Sequence, residues 1–194
     1  MKKSITVFIS IFLFGCLCIF ILNPLNAQIE NWPQFRGINC SGLAAEGQNP
    51  PISFGLDKNI LWKTSLPGGY SSPCIWRDCI FITGIEEEKK LLKLFCIDRN
   101  DGTIRWEEGI EVDEFERTHA IGNAATATPS TDGERVYFYF GSYGLLCYDL
   151  NGEKQWELSM PVPKSRHEMG TSPIVTGDLV ILNCFGDQND PRNN

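Results

Sequence analysis

The sequence predicts an all-β fold: a β-propeller of four-stranded antiparallel blades, with about two and a half blades present of an expected seven or eight. Three observations predict it. One pattern is written twice, as Cys96-Ile97-Asp98-Arg99-Asn100-Asp101-Gly102-Thr103-Ile104-Arg105-Trp106 and as Cys147-Tyr148-Asp149-Leu150-Asn151-Gly152-Glu153-Lys154-Gln155-Trp156. Each copy reads small residue, Asp, tight Gly turn, three residues, Trp, and Trp106 and Trp156 lie 50 positions apart. Around each copy, short apolar runs alternate with turn signals, and units of roughly 44–50 residues with four such runs fit a propeller blade. Finally, no apolar stripe of helical period persists beyond the N-terminal segment.

The N-terminal segment reads as an export signal. Lys2 and Lys3 precede an unbroken apolar stretch from Ile5 to Leu22, and Leu25-Asn26-Ala27 offers a small residue for cleavage before Gln28. That is the pattern of a secretory signal peptide. The stretch is also just long enough to span a bilayer, so an uncleaved anchor is a second reading. Lipidation at Cys16 is a third, although bulky Phe14 suits a lipobox poorly. All three export the domain. The organisation that follows is a signal peptide or anchor over residues 1–27, an N-terminal extension over 28–60 and a partial propeller over 61–194.

Within the propeller, Trp62 in Ile60-Leu61-Trp62-Lys63 reads as a lone fourth strand. Repeat one opens at Gly69-Tyr70-Ser71-Ser72-Pro73 and runs through Cys74-Ile75-Trp76, the turn Arg77-Asp78 and Cys79 to Ile82. The charged run Glu86 to Lys90 is a solvated loop tip. Leu92 to Ile97 forms the third strand, and Asp101-Gly102 turns into a fourth ending at Trp106. Repeat two repeats this order: Thr128-Pro129, the turn Asp132-Gly133, Val136 to Phe140, a turn over Gly141 to Gly144, Leu145 to Tyr148, and Asn151-Gly152 before Trp156. Asn-Gly and Asp-Gly between apolar runs are strong hairpin signals. Repeat three holds Gly170-Thr171-Ser172-Pro173, Ile174-Val175, the turn Gly177-Asp178 and Leu179 to Leu182, then a polar tail from Gly186. Runs such as Val136-Tyr137-Phe138-Tyr139-Phe140 are apolar on both faces, as in strands sandwiched between neighbouring sheets.

The formal charge of the chain is -7, and removing residues 1–27 with their two lysines takes it to about -9. An acidic surface argues against nucleic acid and against anionic headgroups as partners. Membrane contact is therefore expected only through the N-terminal segment. Six cysteines remain beyond residue 27: Cys40, Cys74, Cys79, Cys96, Cys147 and Cys184. An even count in an exported chain invites disulfides. Cys96 and Cys147, however, occupy the same place in two repeats, where a small buried residue is wanted.

These motifs resemble those of the PQQ-like β-propeller repeat proteins, the quinoprotein alcohol dehydrogenase-like superfamily. The tryptophan-docking motif A-x-D-x-x-T-G-x-x-x-W is kept with Cys96 for Ala and Asp101 for Thr, and its second copy is one residue shorter between Asp149 and Gly152. Ser-Ser-Pro or Thr-Ser-Pro stands at the first strand of blades. Trp32-Pro33-Gln34-Phe35-Arg36-Gly37 is similar to the opening of a secreted bacterial subgroup. The resemblance covers roughly residues 31–186. It implies that Trp106 and Trp156 each pack on an adjacent blade, that Gly102 and Gly152 supply positive φ, and that Asp98 and Asp149 bond local backbone. Members of this family are usually about twice this length, which implies that the chain is an N-terminal fragment of a closed propeller.

The resemblance does not bring an enzyme with it. The dehydrogenases of this family hold pyrroloquinoline quinone against a vicinal disulfide, with calcium bound by Glu, Asn and Asp, and no adjacent cysteines occur here. Asp187-Gln188-Asn189-Asp190 has oxygens suited to calcium, but reads better as a polar tail. The only histidines, His119 and His167, both occur as H-x-x-G leading into a blade's first strand, with Arg117 and Arg166 nearby. On one propeller face these loops would bind a metal, an anion or another ligand; alternatively they are polar packing segments. No catalytic residues stand out. The expected function is an exported, non-catalytic module that binds a protein or glycan, with no cofactor. The alternative is an alcohol or sugar dehydrogenase using pyrroloquinoline quinone and calcium.

Overall fold

The computed structural model describes residues 31–116, 118–119, 122–160 and 170–184. Blade one is a four-stranded sheet of β1 (Cys74–Trp76), β2 (Cys79–Glu86), β3 (Leu91–Asp98) and β4 (Ile104–Glu111). Blade two repeats it with β5 (Ser130–Thr131), β6 (Arg135–Phe140), β7 (Gly144–Asp149) and β8 (Lys154–Ser159). A hairpin of β9 (Ile174–Thr176) and β10 (Leu179–Ile181) begins blade three. Every pairing is antiparallel and joins consecutive strands, and no α-helix occurs among the described residues.

The local chemistry explains the hairpins. Gly102 and Gly152 have φ of 78° and 93°, a region that costs Gly nothing and other residues strain. Asp98 Oδ1 accepts the Asn100 N–H at 2.8 Å, and Asp149 Oδ1 accepts the N–H groups of Asn151 and Glu153, both at 2.9 Å. Each carboxylate thus closes its own turn, as an Asx side chain does. Cys96 stands opposite Trp106 and Cys147 opposite Trp156, and both pairs sit at a register shift. A small buried residue is needed there because the indole lies across it.

Burial falls from the middle of each blade outward. Leu92 to Ile97 of β3 and Val136 to Phe140 of β6 are buried throughout, whereas β8 is exposed at every residue. That is the profile of a middle strand covered by neighbouring sheets and an outermost strand at the perimeter. One core cluster spans blades one and two through Phe81, Leu92, Leu94, Phe138, Phe140 and Leu146. A smaller one joins Ala127, Tyr139 and Leu145 to Val180 and Leu182 of blade three.

Two sequence expectations need correcting. The fourth strand of blade one does not end at Trp106; it runs on to Glu111, because β3 supplies backbone partners as far back as Leu91. Residues 60–63 form no strand. Trp62 instead lays its ring across the Gly102 turn and donates from Nε1 to the Arg99 carbonyl at 2.9 Å. It docks on blade one from outside, and no described strand lies beside it to pair with.

Candidate functional site

The surfaces between blades carry the structure's specific chemistry. At the inner edge, each residue that precedes a first-strand proline is Ser or Thr. The Ser72 N–H donates to Thr128 Oγ1 at 3.0 Å, and the Thr128 N–H donates to Ser172 Oγ at 2.9 Å. Proline holds the residue before it extended, so one residue offers its amide to one neighbour and its hydroxyl to the other. The repeated Ser/Thr-Pro is therefore a hydrogen-bonded belt joining all three blades. The sequence displayed this motif without revealing its purpose.

The first seam, between blades one and two, is filled by two indoles. Trp106 donates from Nε1 to the Leu150 carbonyl at 3.0 Å and stacks on Tyr148 with ring centres 6.0 Å apart. Phe81 and Phe138 close round it at 6.0 and 6.2 Å. A Cβ on Gly152 would lie 2.9 Å from the Trp106 ring, so the turn glycine is the socket of this lock. At the other end of the same seam Trp76 covers Gly133, which has φ of 94°.

The second seam differs. Trp156 occupies the same motif position as Trp106, yet it is 41% exposed, and among the described residues its one ring contact is Tyr137 at 6.0 Å. The expectation of docking on a neighbouring blade holds for Trp106; for Trp156, no turn of blade three equivalent to Gly152 is among the described residues. Local sequence sets the indole's position, but only the surface opposite decides whether it is buried. Where Trp76 fills the first seam, blade two has Asp132, and a Cβ added at the corresponding Gly177 would meet no described neighbour within 4 Å. A cleft of about 390 Å³ opens there, lined by residues including Asp132, Arg135, Tyr137, Asp178 and Val180. Burial pushes the Asp132 carboxyl up, but hydrogen bonds from Tyr137 Oη at 2.7 Å and from the Arg135 and Glu134 amides outweigh it, leaving the group below its ordinary value. Burial and that carboxylate push the Tyr137 phenol up to about 12.

The Trp32 segment braces the inner edge. Trp32 exchanges both backbone hydrogen bonds with Ile75 at 2.8 Å, and the Pro33 carbonyl accepts the Thr131 N–H at 2.9 Å. Residues 32–33 thereby bridge the first strands of blades one and two. Of the four candidate ligand-binding residues, only His119 is described. It is exposed, and its carbonyl accepts the Gly122 N–H at 2.9 Å. Arg117, Arg166 and His167 lie outside the described residues, as do Asp187 to Asp190. Among the described residues no three His, Cys, Asp or Glu side chains converge as a metal site, and Cys40, Cys74, Cys79, Cys96, Cys147 and Cys184 are free thiols.

Antiparallel sheets whose tryptophan docks on the glycine turn of the next sheet define a β-propeller. Residues 59–187 match the family model described as outer membrane protein assembly factor BamB, and the chain belongs to that family. No curated protein matches the chain. Among solved structures, the crystal structure of BamB from Moraxella catarrhalis is similar at 16% identity and a TM-score of 0.45. The match covers 63% of this chain and 36% of that one, so the chain spans little more than a third of its relative's length. Among the described residues no helix is long and apolar enough to cross a membrane.

Proposed function

We propose that this chain is an exported, non-catalytic propeller module that holds a protein partner, in the manner of a scaffold. The observation that carries this reading is the family match over residues 59–187, whose description is that of an assembly factor. The second seam supports it. Trp156, Leu158, Leu179 and Ile181 are exposed apolar side chains on blades two and three; Leu179 lines the Asp132 cleft and Trp156 contacts Tyr137 of its wall, and apolar groups rimmed by charge are typical of protein contact surfaces. The export signal over residues 1–27 and the opening Trp32 to Gly37, similar to a secreted subgroup, favour a periplasmic or outer-membrane-associated site of action.

A photo-crosslinker at Leu158 in cells tests the reading, with the same probe at exposed Glu88 as control. A discrete membrane-fraction adduct from position 158 alone is expected. Equal labelling from both positions refutes the assigned surface. Addition of pyrroloquinoline quinone, calcium and an artificial electron acceptor to the purified chain tests the non-catalytic half. Reduction of alcohol-dependent dye above background overturns it.

A further inference from the structure

The two complete blades differ at one chemically active point, and it lies in blade one. Cys79 opens β2 and faces Asp98 across the ladder; Cys96 stands two residues from Asp98, on the same face of the sheet. The Cys79 sulfur accepts a hydrogen bond from Arg105 Nη1 at 3.1 Å and shares another with the Cys96 thiol. Arg105 is itself fixed by Asp98, which accepts from its Nε at 2.9 Å and its Nη2 at 2.5 Å. Blade two is a natural control. Arg135 occupies the position of Cys79, opposite Asp149, and Gln155 occupies the position of Arg105. Cys147 therefore has the burial of Cys96 but no thiol at the neighbouring place.

We propose that Cys79 is an oxidative modification site, a thiol that small peroxides oxidise selectively, with Cys96 as the thiol that resolves it. Cys79 is 7% exposed at the edge of the Arg77-Asp78 turn, within reach of a small oxidant and shielded from bulky ones. Thiolates, not thiols, react with peroxides, and neighbouring cations raise the thiolate fraction. Cys96 hydrogen bonding lowers the Cys79 thiol most, against burial, and Arg105 adds to the lowering while Asp78 opposes it; the same bond, with burial, pushes the Cys96 thiol up, so Cys96 keeps the shared proton. Burial holds Cys147 at about 11.

The chemistry closes without another reactant. The Cys79 sulfur attacks one oxygen of hydrogen peroxide, the O–O bond breaks, hydroxide leaves and Cys79 carries S–OH. The Cys96 sulfur then attacks Cys79: the S–S bond forms, the S–O bond breaks, and the leaving oxygen departs as water with the Cys96 proton. Two thiol sulfurs are oxidised and one peroxide is reduced.

The test is peptide mapping of the full chain after limiting hydrogen peroxide, with dimedone present to trap sulfenic acid. The expected result is dimedone on Cys79, or a Cys79–Cys96 link lighter by about 2 Da, at least about tenfold faster than any change at Cys147. Cys96→Ser should leave the Cys79 sulfenic acid trappable, and Arg105→Gln should slow its formation about tenfold with Cys147 unchanged. Oxidation of Cys79 no faster than of Cys147 overturns the proposal, as does linkage of Cys79 to a cysteine other than Cys96. The wild-type map alone decides if either variant fails to fold.

Discussion

The two seams of this molecule use the same parts with different results. In the first, Trp106 and Trp76 each lie on a glycine turn of the neighbouring blade, and the aromatic cluster of Phe81, Phe138 and Tyr148 closes around Trp106. In the second, among the described residues, Trp156 is partly exposed and a cleft stands where Trp76 fills the first seam. The Ser/Thr-Pro belt runs through both. Adjacent blades are thus registered by hydrogen bonds at the inner edge and locked by an indole further out. Among the described residues the second seam shows the registration without the lock.

The largest test of that contrast is truncation of the two tryptophans. Trp106→Ala should cost about 3–5 kcal/mol in urea unfolding, as for other buried aromatics, whereas Trp156→Ala should cost about 1 kcal/mol or less. Equal losses would erase the distinction between the seams. Next in size is the socket. Gly152→Ala adds a Cβ at 2.9 Å from the Trp106 ring, in a backbone with φ of 93°, and should cost about 2 kcal/mol or more from strain and displaced packing. Gly177→Ala, at φ of 54° over open space, should cost about 1 kcal/mol from the backbone alone. Comparable thermal shifts for the two would show that the indole does not need its socket.

The belt predicts an effect common to both seams. Thr128→Val removes the acceptor of the Ser72 N–H at a residue that is 1% exposed. The expected loss is about 1–3 kcal/mol, with Thr128→Ser restoring most of it. A neutral Val variant would mean that water serves as well as the hydroxyl. The smallest effect concerns the cleft. Tyr137 has a folded pKa raised to about 12, so its contribution to stability is complete below the ordinary phenol value near 10 and is lost as pH rises toward 12. Asp132→Asn removes the carboxylate, and ultraviolet titration should then show Tyr137 ionising earlier.

The strand content was legible because turn chemistry is local: Asp101-Gly102, Asn151-Gly152 and Gly177-Asp178 each fix a hairpin through positive φ and an Asx or amide bond. What sat across a seam was not legible. Trp106 and Trp156 share a motif, and no local feature shows that Tyr148 and Leu150 would enclose Trp106. Trp62 was read as a strand for the same reason: the motif shows an indole's spacing but not whether a backbone partner lies beside it. Ser72, Thr128 and Ser172 were visible as a repeat, yet their role needed three blades in space. Of the loop candidates, His119 is placed at an exposed turn, and proximity to a second imidazole was never a property that its own sequence neighbourhood encoded.

The most direct measurement is hydrogen exchange at the indole Nε1–H groups of Trp106 and Trp156, followed by NMR in the native protein. A bonded, enclosed indole exchanges only when the structure opens. Because Trp106 donates to Leu150 at 3.0 Å inside the first seam and Trp156 is 41% exposed, Trp106 should exchange at least about a hundredfold more slowly than Trp156. Equal rates would contradict the claim that one seam is locked and the other open.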